Sequence, residues 1–158
     1  MKSRNKGVTL IELVVVIAVL GILASIAIPS YREYVLRANR SEARAALLAL
    51  ATAQEKYYLE CNSYVDTLDT SGPNTCPGSS GSLNFPSTSE NGYYTVAVTG
   101  GDLDLGGNPQ SWTATATAAS GQPQIRDTKC RVFQLTSTGR KTATNASSAA
   151  NDDECWSK

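Results

Sequence analysis

One acidic residue inside a long apolar run constrains this chain more than any other feature. Residues 8–28 are predominantly apolar and end at Pro29, and Glu12 stands one turn into them. As a helix, those 21 residues extend about 31 Å, close to the roughly 30 Å of a bilayer's hydrocarbon core. Lys2, Arg4 and Lys6 precede the run, and positive charge on that side predicts a cytoplasmic N-terminus. An acidic residue at the centre of a membrane helix costs about 2.5–3.5 kcal/mol, and less near its end. Glu12 is therefore a functional candidate.

Two simpler readings account for less. A secretory signal also has a basic start and an apolar core, and Ser25-Ile26-Ala27 would pass as its cleavage site. That core is usually about 7–15 residues and carries no acid. A plain membrane anchor explains the length but not Glu12. The run Gly7-Val8-Thr9-Leu10-Ile11-Glu12-Leu13 after a short basic leader resembles the class III signal of type IV prepilins and pseudopilins. That pattern usually has Phe after the glycine, where this chain has Val8. The resemblance implies cleavage after Gly7 by prepilin peptidase, N-methylation of Val8, and assembly through Thr9, Glu12 and Pro29.

The chain has 158 residues, 14 basic and 14 acidic, and no histidine. Without residues 1–7 the side chains number 11 basic against 14 acidic, a net of −3, which is no overall nucleic-acid footprint. Imidazole-based triads and metal sites are excluded. Cys61, Cys76, Cys130 and Cys155 form no C-x-x-C pair, so no metal site or cofactor is expected from them. An even count in a domain exported past the membrane reads as two disulfides. Three pairings are open. Local pairing, Cys61–Cys76 and Cys130–Cys155, is expected because it closes short loops in a chain with few other long-range constraints.

Four segments follow from the pattern: a leader at 1–7, a membrane and assembly helix at 8–29, an amphipathic helix at 30–60, and a β head at 61–158. Pro29 predicts a bend. Tyr31, Tyr34, Val35 and Ala38 then keep helical spacing, as do Ala43, Ala46, Leu47 and Leu50. Two apolar faces suit packing on a sheet inside and on neighbouring subunits outside. Arg37, Arg40 and Arg44 read as a solvated or inter-subunit face. Residues 69–91 read as an irregular loop. Alternation predicts strands around Tyr94–Thr99, Trp112–Ala118 and Arg131–Leu135. Ser137-Thr138-Gly139 is a turn before a short fourth strand at 140–144. Residues 100–108 read as a hairpin turn in preference to a calcium loop. The tail is polar, anchored by Cys155-Trp156, and Asn145-Ala146-Ser147 is a sequon of little weight.

No phosphate loop, acid–base pair or nucleophile–base arrangement stands in the sequence, so the chain reads as a non-enzyme. Residues 54–64 and the Cys130, Cys155-Trp156 arrangement resemble PilE-like type IV pilins, a minor pilin being the expectation. The resemblance implies an α+β pilin fold, with the second half of a long helix packed on a four-stranded antiparallel sheet. It implies a single-pass inner-membrane protein with a periplasmic head, later part of a cell-surface pilus for adhesion, twitching motility or DNA uptake. Its partners would be other pilin subunits, prepilin peptidase, the inner-membrane assembly machinery and the membrane. A DNA-binding competence pilin and a type II secretion pseudopilin are the alternatives. Arg126, Lys129, Arg131, Arg140 and Lys141 concentrate positive charge. Arg131 and Arg140 are expected close together across the hairpin. Strand-edge charge is the ordinary reading of this strip. Contact with DNA phosphates or another anionic surface is the sharper one.

Overall fold

The computed structural model describes residues 7–68, 76, 82–105, 107 and 109–157. Helix α1 spans Leu10–Cys61 and contains Pro29. Chain contacts divide between Val35 and Leu36. In the first unit every described residue up to Tyr34 is exposed, and the segment is apolar and long enough to cross a membrane.

The second unit is built on one stripe of α1. Arg40, Ala43, Leu47, Leu50, Gln54 and Tyr57 are its buried residues, at alternating spacings of three and four that place them on one helix face. The helix ends at Asn62, which adopts a left-handed conformation with φ 52° and donates its N–H to Tyr58 O at 2.8 Å. Asparagine tolerates that conformation at a C-terminal cap.

Strands β1 (Tyr94–Leu103), β2 (Pro109–Ala118), β3 (Val132–Thr136) and β4 (Lys141–Thr144) form one sheet in that order. Every neighbouring pair is antiparallel. This is the expected α+β arrangement, with β1 and β2 each reaching farther toward their shared turn. The inward residues Tyr94, Val96, Trp112, Ala114, Ala116, Phe133, Leu135 and Ala143 join Ala43, Leu47, Leu50 and Tyr57 in a single core. Three consecutive inward alanines on β2 leave room for a helix close to the sheet. Thr95, Thr113, Thr115 and Thr142 alternate with them on the opposite face.

The β4 edge and the start of the β1 edge are covered. Along β1, Val96 N donates to Ser87 O at 2.7 Å and Ser89 N to Tyr94 O at 2.9 Å. Along β4 lies the short helix α2 (Asp152–Trp156), in a segment whose sequence pattern reads only as a polar tail. Ala143 N donates to Asp152 Oδ1 at 2.6 Å, and Trp156 Nε1 donates to Thr142 O at 2.8 Å. The Trp156 ring also meets Phe133 edge-on, with centroids 5.8 Å apart. Disulfides join Cys61 to Cys76 and Cys130 to Cys155.

Of the loop at 69–91, residues 69–75 and 77–81 lie outside the described residues. The rest contains a single isolated bridge, Thr88 to Thr95. Asn145 uses its side-chain oxygen to accept the N–H groups of Ser147 and Ala149, a local turn that employs the sequon's own asparagine.

Candidate functional site

Two regions carry unexplained chemistry, and each is built by local rules. At the start of α1, Thr9 O accepts Leu13 N at 3.2 Å, which makes Thr9 the N-cap. Its hydroxyl accepts Glu12 N at 3.3 Å, and the Glu12 carboxylate accepts Thr9 N at 3.5 Å. This reciprocal pair is a capping box. The Thr-x-x-Glu spacing is legible in the sequence, and it gives Glu12 a local partner that the apolar pattern alone does not reveal. The second bond is long, and Glu12 remains exposed. Ser25 satisfies its own hydroxyl on Ile22 O at 2.7 Å. Gly7 and Val8 precede the helix and are exposed, and Pro29 lies inside it.

The second region centres on the link from β2 to β3. A short 3-10 helix at Pro123–Arg126 leads into Asp127, which is 2 % exposed. Asp127 receives two bonds from Arg40, Nε at 2.7 Å and Nη2 at 3.0 Å. Gln124 Nε2 donates to the same carboxylate at 3.1 Å, and the N–H groups of Lys129 and Cys130 donate at 3.0 and 3.1 Å. Gln124 also reaches the Leu36 carbonyl at 3.1 Å. Burial, reinforced by the neighbouring Asp127 charge, pushes the Tyr94 phenol well above the usual tyrosine range.

This overturns the reading of Arg40 as part of a solvated or inter-subunit face. Arg40 occupies a core position on the helix stripe, and its charge is tolerated there because Asp127 supplies a bidentate partner. Arg44 is half-buried and reaches Trp156 O at 3.4 Å. Arg37 is exposed.

The expected closeness of Arg131 and Arg140 is also overturned. Val132 pairs with Thr144 and Leu135 with Lys141, while Thr136 N bonds to Arg140 O across the turn. Arg131 therefore lies at the other end of the β3–β4 hairpin, about five residues or 17 Å of strand away. The five basic residues divide into two groups. Arg126, Lys129 and Arg131 stand near the Asp127 network, and Arg140 and Lys141 stand by the turn.

Within the first group, Arg126 is exposed and Arg131 folds back, its Nη2 donating to Ile125 O. Lys129 pairs with Glu154 at 2.9 Å. In the second group Arg140 is exposed, and the Lys141 ammonium lies 5.5 Å from the centre of the Trp156 ring. Exposed cations of this kind can contact phosphates without reading sequence. Among the described residues, no group of acidic or cysteine side chains is arranged to hold a metal ion.

A family model described as type IV minor pilin ComP, DNA uptake sequence receptor, matches residues 29–134, and a prokaryotic N-terminal methylation motif matches residues 2–28. The chain is 49 % identical over 63 residues to the type IV major pilin protein PilA of Myxococcus xanthus, covering 40 % of this chain and 29 % of that protein. It is 48 % identical over 59 residues to the type IV major pilin protein PilE1 of Neisseria gonorrhoeae, covering 37 % of this chain and 36 % of that one. Over 60 residues it is 50 % identical to a fimbrial protein of Pseudomonas aeruginosa, covering 38 % of each. The matched part is thus under two fifths of each of these relatives' length.

Proposed function

The chain belongs to the family of the type IV minor pilin ComP, and we propose on that premise that it is a pilus subunit whose head contacts DNA. The observation that carries the subunit reading is the first unit itself, exposed at every described residue to Tyr34 and carrying over residues 10–28 a single charged side chain, the Glu12 of the capping box. Bringing many such helices together removes apolar surface from water at about 25 cal/mol per Å². In lipid, where that gain is absent, packing and polar pairing hold helices together. A pilus gives Glu12 a cationic partner in the α-amine of a neighbouring Val8. Such an amine ordinarily titrates at about 7.7–8.0 and so is charged at neutral pH.

This role requires prepilin peptidase to cut after Gly7, where a side chain would obstruct the enzyme, and then methylation of Val8. It places the protein in the inner membrane with a periplasmic head, and then in the surface fibre. Cys61–Cys76 and Cys130–Cys155 suit that oxidising compartment. Deleting the gene is expected to reduce DNA uptake, with the loss restored by the intact gene. Electron microscopy and a twitching assay on the same strain distinguish a fibre-building role from an uptake role. Normal uptake, pili and motility in the deletion strain would refute the proposal.

The DNA reading rests on the match to a family described as a DNA uptake sequence receptor and on the exposed side chains of Arg126, Arg140 and Lys141. Phosphate contacts by these residues predict binding that weakens steeply with salt, with a slope of about −0.9 per phosphate neutralised. A titration of the full chain in neutral detergent against duplex DNA at two salt concentrations measures it. Replacing Arg140 and Lys141 by Glu is expected to weaken binding and flatten the slope. Equal binding by parent and variant would remove these two residues from the interface.

A further inference from the structure

The acidic helix α2 runs along the β4 edge between the two basic groups, and one of its residues engages a member of the first. Lys129 Nζ lies 2.9 Å from Glu154 Oε1, with the two side chains 49 % and 41 % exposed. Asn151 Nδ2 holds the other carboxylate oxygen at 3.2 Å and donates to Lys129 O at 3.2 Å. These bonds, that to Lys129 foremost, keep the Glu154 carboxyl below its usual pKa.

An exposed ion pair on two free side chains is worth little, because ordering both side chains offsets the attraction. This pair differs in its covalent setting. Lys129 precedes Cys130, Glu154 precedes Cys155, and those cysteines are bonded to each other. The disulfide holds the two backbones in place, so less freedom is lost when the side chains meet. The backbone N–H groups of Lys129 and Cys130 are themselves fixed on the buried Asp127.

We propose that Glu154 is a built-in competitor for DNA, a carboxylate held on Lys129 that a phosphate must displace before this residue can join the interface. The proposal rests on the DNA reading above and adds how that site is restrained. It also gives the Cys130–Cys155 bond a role in affinity as well as in stability. With Glu154 in place, Lys129 adds little to the phosphates neutralised. Without it, the count rises by one.

The experiment is a titration of the full chain in neutral detergent against a 20-base-pair duplex of arbitrary sequence, from about 20 to 200 mM salt, where counterion release is read most directly. Four proteins are compared with the parent: Glu154→Gln, Lys129→Gln, the double variant Lys129→Gln/Glu154→Gln, and Glu90→Gln. The last removes an exposed acid from the segment beside β1, at the far edge of the sheet.

Glu154→Gln is expected to bind more tightly and to steepen the salt slope by about 0.9. Its advantage over the parent then shrinks by about 3.5-fold between 50 and 200 mM. The double variant is expected to lose that gain, and Glu90→Gln to stay near the parent in slope. If the parent binds with a salt dependence but Glu154→Gln does not differ, the competitor role is wrong while the DNA reading stands. A gain that persists in the double variant, or is matched by Glu90→Gln, reduces the effect to general charge and also overturns it. If no protein binds at 20 mM, the DNA reading itself fails. Binding by Glu154→Gln where the parent shows none would support the competitor role most strongly.

Discussion

Removing one partner of the Arg40–Asp127 pair tests whether it is the main polar fastening of the head. Arg40 and Asp127 are 3 % and 2 % exposed, 87 residues apart in sequence, and joined by two bonds at 2.7 and 3.0 Å. Asp127→Ala leaves a buried guanidinium without its counter-charge, and breaking a buried pair in this way costs about 3–5 kcal/mol. It also leaves Gln124 Nε2 and the N–H groups of Lys129 and Cys130 without their acceptor. Water entry or local rearrangement would offset part of that further loss. Taking about 4 kcal/mol and a urea slope of about 2 kcal/mol per molar, the midpoint should fall by about 2 M.

Trp112 and Trp156 both belong to the head and report its unfolding by fluorescence, with the full chain kept in a neutral detergent. Arg40→Met combined with Asp127→Leu should lose less than Asp127→Ala, because no charge is left buried and the volume is retained. The remaining deficit reports the bonds to Gln124 and the two N–H groups. A loss below about 1 kcal/mol in Asp127→Ala, within the range of exposed ion pairs, would refute the reasoning. So would a double variant as unstable as the single one.

Three further outcomes are expected. Glu12→Val should insert and be cleaved normally yet fail to enter pili, since valine suits lipid while the inter-subunit charge pair is lost; immunoblots of sheared pili and membranes check it, and normal incorporation would end that role. Intact-mass measurement of the membrane-extracted protein should find a methylated Val8 at the N-terminus, whereas a terminus after Ala27 would establish a secretory signal. Burial alone would raise the Glu42 carboxyl, but bonds from Ser89 and Asn91 outweigh it and hold the group below its usual 4.5. Its contribution to stability is therefore present above about pH 4.5 and lost as pH falls through the depressed value, so Glu42→Gln should flatten that part of a stability–pH curve.

The legible parts of this fold are those written in short-range periodicity. The helix stripe from Ala43 to Leu50 and the alternations of β1 and β2 need only local spacing. Arg40 sits three residues before Ala43 in the same stripe, so its burial is in principle legible. Its partner Asp127 is not, because nothing local marks a residue 87 positions away. Arg131 and Arg140 are misplaced for a simpler reason. In an antiparallel hairpin turning at Thr138, Arg140 falls opposite Thr136, and Arg131 falls opposite Asn145. Helix α2 cannot be read from sequence, since five residues make no stable helix alone. It exists because Asp152 caps a strand amide and Trp156 packs on Phe133.

The covered sheet edges bear on how a subunit of this kind can polymerise without aggregating. An open strand edge offers unpaired N–H and C=O groups to any other chain, and a protein crowded into a fibre meets many copies of itself. Here the 87–89 segment pairs with residues 94–96 at the start of the β1 edge, while Asp152, Asn151 and Trp156 take backbone groups of Ala143 and Thr142 on β4. The Cys130–Cys155 bond secures the second cover in a way that thermal fluctuation cannot undo. Sheet-to-sheet addition is thereby disfavoured along β4 and at the start of β1. The largest exposed apolar surface among the described residues is the first unit of α1, whose capped Glu12 is the group least suited to remaining alone in lipid.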